Sequence, residues 1–247
     1  MNLLELSELL LDEKKAEEYL LKVGILKTFT ECEKCGSNRI TKISRGRHRC
    51  SNCESEWSMK KGSVLYNNNL SYSKFIGIVK LFELGITAEL ASIELNTNHI
   101  TVKNNYNTIR FVISGVKEAE FNDLDQILRD ELAKFSISIT DKGVEISLLN
   151  KEIVAQDLFK LKRTRNPSKE AAYSFHYSRL KPKEIEKRLH NFPIEQNHFW
   201  RYAKKWLMYY RGTKLNYLYL YLKEIEFRYN SRNENLFEII IAKIAQI

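Results

Sequence analysis

Proline and glycine are scarce, at 3 and 9 of 247 residues. That excludes collagen-like and proline-rich architectures and leaves few built-in breaks in regular structure. No stretch supplies the roughly 18 consecutive apolar residues of a spanning helix. The first residues lack the basic start, apolar core and small-residue cleavage site of a secretory leader. No cysteine lies outside Cys32–Cys53. Aromatic residues at 11% and hydrophobic residues at 43% exclude extended disorder. The expectation is a cytoplasmic protein with no membrane partner and no evident small-molecule substrate, folded as one large domain or two small ones.

Acidic residues are in deficit: 31 Asp and Glu stand against 40 Lys and Arg, a net charge of +9. The excess is uneven. Residues 1–30 carry −2, residues 31–112 carry +5, residues 113–160 carry −4 and residues 161–247 carry +10. Two basic blocks flanking an acidic one are what a chain gripping a polyanion at two places would show.

The four cysteines form one pattern, Cys32-x2-Cys35 and Cys50-x2-Cys53 with fourteen residues between the pairs. Two such knuckles let four thiolates surround one zinc ion tetrahedrally, a closed and therefore structural site. Disulfides are the alternative, but nothing points to an oxidising compartment. Gly36 suits the tight turn after the first knuckle, and residues 39–49 read as a short hairpin turning at Arg45-Gly46. Residues 28–66 are thus expected to form a zinc ribbon. From it Arg45, Arg47, Arg49, Lys60 and Lys61 would project toward phosphates.

Residues 67–114 read as a helix-turn-helix. Phe75, Ile76, Val79 and Phe82 recur at helical spacing, and Gly85 stops the helix. Thr87 caps a short second helix, Ala88 to Leu95, with Leu90, Ala91 and Ile93 facing inward. After a turn at Asn96-Thr97-Asn98, a third helix carries Ile100, Val102, Tyr106, Ile109 and Val112 on its apolar side. Its other side, with the turn, offers Asn98, Thr101, Lys103, Asn104, Asn105, Asn107 and Arg110 to DNA. Asn pairs bidentately with adenine, and Arg or Lys reaches guanine. Residues 1–27 are expected to be helical, with a leucine-rich face (Leu3, Leu4, Leu9, Leu10, Leu20, Leu21) packed on the ribbon or on a second copy of the chain, a homodimer.

Further on, residues 135–149 read as a hairpin turning at Asp141-Lys-Gly143. Pro193 precedes a helix of about residues 194–211. It bears Arg201, Lys204 and Lys205, cations interleaved with aromatics that suit DNA ends. Tyr217–Leu222 alternates with period two, which reads as strand, yet residues 223–229 have helical charge spacing. Local pattern leaves the two equal.

Ile194-Glu195, Phe199-Trp200, Ala203-Lys204-Lys205, Gly212 and the run Tyr221-Leu-Lys-Glu-x-Glu226-Phe-Arg-Tyr-Asn230 resemble the C-terminal block of Merlin-type DDE transposases of insertion sequences. The order of parts is similar too, so the resemblance covers most of the chain. It implies DNA as partner, a location at the nucleoid, an RNase H-like domain over residues 115–247, and a helix over 214–229. It also implies three carboxylates holding two divalent ions, magnesium if the centre is active.

The matching positions are mostly altered. Asp130, in Asp130-Glu131 ahead of the hairpin, corresponds to the first acid, with Asp141 a poorer candidate. Phe175 stands where the second acid belongs. Glu195 is the candidate for the third, but three residues separate it from Phe199 where the family has one. On a helix that shift turns a side chain by about 200°, so Glu195 serves only if the helix starts late. The expected protein is therefore α+β, with a helical N-terminus, zinc ribbon, helix-turn-helix and reduced RNase H-like domain with a helical C-terminus. It binds DNA, and its cutting centre is degraded. The alternatives are an active transposase with shifted acids and a zinc-ribbon scaffold for other proteins.

Overall fold

The structure is a computed structural model that describes residues 3–66, 68–115, 134–140, 143–148, 158–160, 194–207 and 215–247. It is a mixed α and β protein that divides into two compact units, Met1–Ile109 with Asn235–Ile247, and Arg110–Glu234. Asp130, Asp141, Phe175 and the cations of 161–193 lie outside the described residues.

The first unit is built around α3 (Tyr72–Glu83). Its Phe75, Ile76, Ile78, Val79 and Phe82 are all buried. α1 (Leu3–Leu11) and α2 (Glu13–Lys22) both lie against it. The N-terminal segment is thus two helices, parted where Asp12 caps α2 by accepting from the Lys14 and Lys15 amides. Its leucine face is only partly used: Leu20 is buried, while Leu4 and Leu10 are 80% and 36% exposed. Glu13 accepts from the Tyr72 and Ser73 amides, so α2 supplies a carboxylate to the positive end of α3. Gly77, mid-helix, keeps a close approach open: a Cβ there would lie 2.8 Å from a Leu95 methyl and 3.2 Å from one of Leu10.

α3 ends in a Schellman motif at Gly85, whose φ of 74° any other residue would resist. α4 (Ala88–Glu94) and α5 (His99–Ser114) follow, and Thr87 caps α4 by accepting from the Leu90 amide, as the sequence predicts. From the far end of the chain, α8 (Leu236–Ile244) packs on α3 through buried Phe237, Ile240, Ile241 and Ile244. Between α2 and α3 lies a three-stranded antiparallel sheet of order β1-β2-β3: β1 (Ile40–Ile43), β2 (Arg47–Cys50) and β3 (Glu56–Ser58). Its first two strands are the expected hairpin, turning through Ser44–Gly46.

The second unit contains an antiparallel sheet of order β5-β4-β6, from β4 (Lys134–Thr140), β5 (Gly143–Leu148) and β6 (Leu158–Lys160). The β4–β5 hairpin is the one read from the sequence. α6 spans Ile194–Leu207, and α7 spans Leu215–Asn230, which resolves the Tyr217–Leu222 tie in favour of helix. Leu220, Leu222 and Ile225 are buried in α7 and the alternating tyrosines are half-buried.

β5 is an edge strand, and α7 covers its free backbone groups. Asn230 accepts from the Val144 amide and donates to its carbonyl. Glu226 accepts from the Ile146 amide, and Lys223 donates to the Ile146 carbonyl. Exposed sheet edges template unwanted pairing, and these bonds close this one.

Deeper in the same unit, Glu224 accepts from Arg110 Nε at 2.7 Å and from Arg228 Nε at 2.8 Å, all three side chains being buried. The guanidiniums lie on the rings of Tyr221 and Trp206. Burial pushes the Glu224 carboxyl up, but the two guanidiniums outweigh it and hold it below the usual range. Removing the charge leaves two buried cations uncompensated, so Glu224→Gln should cost about 3–5 kcal/mol. Denaturant unfolding followed by circular dichroism checks this, with the exposed Glu145→Gln as a near-neutral control.

Candidate metal centre and nucleic-acid interface

The two knuckles have the same backbone plan. In the first, the Cys32 amide donates to Ser37 O and the Gly36 amide to Cys32 O. In the second, the Cys50 amide donates to Ser55 O and the Glu54 amide to Cys50 O. Gly36 and Glu54 occupy the same left-handed corner, at φ 67° and 58°. This plan brings the four sulfurs within 4.8 Å of one another. Cys32 and Cys53 are 3.6 Å apart, as are Cys35 and Cys50. Tetrahedral ligands about 2.3 Å from a zinc ion would stand about 3.8 Å apart, so the set fits that ion.

The Ser55 hydroxyl lies 3.3 Å from Cys32 Sγ and 3.1 Å from Cys53 Sγ. Donation from Ser55, helped by the Lys34 and Cys35 amides, holds the Cys32 thiol down to about 6, and Ser55 lowers Cys53 as well. Cys32 and Cys53 are therefore biased toward thiolate before any ion arrives, as a metal site requires, whereas at Cys35 donation from the Ser37 amide and Asn52 is outweighed by burial and the Cys53 and Cys50 sulfurs, which push that thiol up. Behind the sulfurs, Cys32, Cys50 and Trp57 form a small core with Phe29 and Ile40 packed on it. Trp57 meets Phe29 edge-on at 5.7 Å and stacks on His48 at 6.3 Å. A core this small would draw its order from a bound ion.

The ribbon's cations are largely engaged. Arg47 pairs with Glu56, Arg49 with Glu54, and Lys61 with Glu33. Lys60 differs most from the expectation of a phosphate contact. Its ammonium turns inward to donate to Asn68 O at 2.8 Å and Leu70 O at 2.9 Å, and burial lowers its affinity for a proton. It is a loop clamp. The Arg45 side chain lies outside the described residues.

The helix-turn-helix has a well-capped turn. α4 ends in a second Schellman motif with Asn96 in the left-handed corner at φ 43°. Asn98 caps α5, accepting from the Ile100 amide at 2.8 Å. Lys74 reaches from α3 to donate to Asn96 O, a contact the sequence pattern does not disclose. Lys103, Asn104 and Asn98 are exposed, and Thr101 and Asn107 half-exposed.

Two residues expected on that outer face are buried instead. Asn105 bonds Asn68 and the Thr101 carbonyl, and Arg110 pairs with Glu224. Conversely, Leu90, Ile93 and Ile100, expected inward, are 45%, 69% and 65% exposed; of the three α4 residues only Ala91 is buried. The α4 helix is short, and its small buried side chain sets how closely it lies on its neighbours.

On α6, Arg201 and Lys205 are exposed, and the side chains of Lys204 and Glu195 lie outside the described residues. The helix starts at Ile194, so Glu195 lies inside it and the late start that would redeem it is not met. Phe199 is fully buried, edge-on to Tyr229 at 5.2 Å.

No protein-family profile, curated protein or solved structure matches this chain. Among the described residues, no helix is long and apolar enough to cross a membrane.

Metal analysis should find one zinc per chain, absent from Cys50→Ser. Chelation should red-shift tryptophan emission, and Trp57→Phe should abolish that shift. The ordinary thiol value of 9 falls to about 6 at Cys32, so the fold favours its ionised form. That gain is complete above about pH 9 and is lost as pH falls through 6, so acid should release the metal. Zinc retained by Cys50→Ser would overturn the assignment.

Proposed function

We propose that this is a DNA-binding protein of transposase descent that reads duplex DNA with α5 and lacks strand cleavage. The observation that carries the reading is the capped α4-turn-α5 unit with Lys103 and Asn104 exposed along α5. A helix so presented fits the major groove, with amides for adenine and a cation for guanine or phosphate. The net +9 supports a polyanionic partner. Exposed Arg201 and Lys205 add phosphate contacts from the second unit. The resemblance of the C-terminal block supports the descent. Phe175 in place of an acid and Glu195 within a helix support the loss of cutting.

One observation favours a second reading. Three of the ribbon's cations, Arg47, Arg49 and Lys61, are paired with its own carboxylates, which suits a surface that docks on protein. Exposed pairs contribute only about 0–1 kcal/mol, so phosphates can still displace the carboxylates.

Anisotropy titrations of the zinc-loaded chain with duplex DNA over a salt series decide between them. The DNA reading expects a steep loss of affinity with salt, with the log–log slope reduced by about 1 in Lys103→Ala. Absent or salt-independent binding supports the scaffold. Incubation with magnesium or manganese should leave the DNA intact. Cleavage abolished by Asp130→Ala would instead establish an active transposase.

A further inference from the structure

A cleft of about 480 Å³ opens between α5 and the loop of residues 64–70, wholly within the first unit. Its size is in the range of small-ligand pockets. Its lining is unusual in carrying no ionisable side chain; asparagine and threonine supply the polar groups, and Val64 and Leu70 the apolar ones. The loop's lysine, Lys60, is committed to backbone carbonyls. A cleft without a free cation is poorly suited to phosphate or carboxylate and well suited to a neutral, hydrogen-bonding ligand.

The cleft is held open by bonds that use up part of its polar inventory. Asn68 Nδ2 donates to Asn105 Oδ1 at 2.8 Å, and Asn105 Nδ2 donates to Thr101 O at 2.8 Å. Asn68 Oδ1 accepts from the Leu70 amide at 3.1 Å. The hydroxyls of Thr97 and Thr108 donate to the Leu95 and Asn104 carbonyls. Left unpartnered among the described residues are the amides of Asn69, on the loop, and Asn104, on α5, with the Thr101 hydroxyl beside them. Each amide presents one donor and one acceptor side by side. That is the complement of a nucleobase edge with a donor beside an acceptor, as adenine has in N6 and N7 and an unpaired cytosine in N4 and N3.

We infer that this cleft takes a single unpaired nucleobase from a DNA strand whose adjoining duplex α5 contacts. The inference rests on the DNA-binding reading. A paired base must be pulled from the stack at a cost of a few kcal/mol, whereas a bulged or frayed one is free to enter. The cleft would therefore direct the protein to distorted or unpaired sites. Asn104 would serve both the helix face and the pocket, while Asn69 would serve the pocket alone.

The test compares three duplexes bound to the full zinc-loaded chain: fully paired, with one bulged adenine, and with one bulged abasic nucleotide. The bulged adenine should bind about tenfold tighter than the paired duplex, and the abasic bulge should gain little. Asn69→Ala should abolish the preference for the bulged base and leave paired-duplex affinity unchanged. If all three duplexes bind alike, the pocket is wrong and the DNA reading stands. If none of them binds, both fall. A preference that survives in Asn69→Ala also overturns the pocket.

Discussion

Four cysteine sulfurs lie within 4.8 Å of one another, an arrangement that a cation at their centre would hold together once the thiols ionise. Much of the first unit is tied to that cluster. The ribbon carries Met59 and Lys60 just beyond β3, and Lys60 holds the Asn68 and Leu70 carbonyls. The loop in turn holds α5 through the Asn68–Asn105 amide bond. A covalently local site, two cysteine pairs in one short window, thereby governs the position of a helix some fifty residues later. The ribbon acts through its neighbours, and three of its cations face its own carboxylates.

The second unit has a different anchor. Burying Glu224 is unfavourable by itself, and two guanidiniums stacked on aromatic rings make it tolerable. Around it, Lys223, Glu226 and Asn230 are spent on the edge of β5. These residues belong to the block that resembles the transposases, and their work here is packing and edge closure.

Charge reads differently at each level. As a total, +9 is an excess of positive charge that a polyanion would balance. In the structure, Arg110 and Arg228 are internal, Lys60 and Lys74 bind carbonyls, and Arg47, Arg49 and Lys61 face carboxylates. Lys103 on α5 and Arg201 and Lys205 on α6 remain exposed. The polar residues that distinguish α5 are amides and hydroxyls, which select bases, rather than cations, which select phosphates.

The features legible in the sequence are those whose causes lie within a few residues. Thr87, Gly85 and Asn98 act on amides and carbonyls one turn away. The cysteine spacing builds each knuckle, and the period-two runs flanking Gly143 build the β4–β5 hairpin. The amphipathic reading of α3 succeeds because its whole inward face meets a core. What only the tertiary structure decided is which side of a helix counts as inside. Asn105 and Arg110 are polar yet buried because Asn68 and Glu224, 37 and 114 residues away, supply their partners. Leu90, Ile93 and Ile100 are apolar yet exposed because no element among the described residues covers them. Tyr217–Leu222 alternates like a strand but coils because Leu220, Leu222 and its half-buried tyrosines find neighbours around a helix. Periodicity reports local preference, and burial is settled by partners that local sequence does not contain.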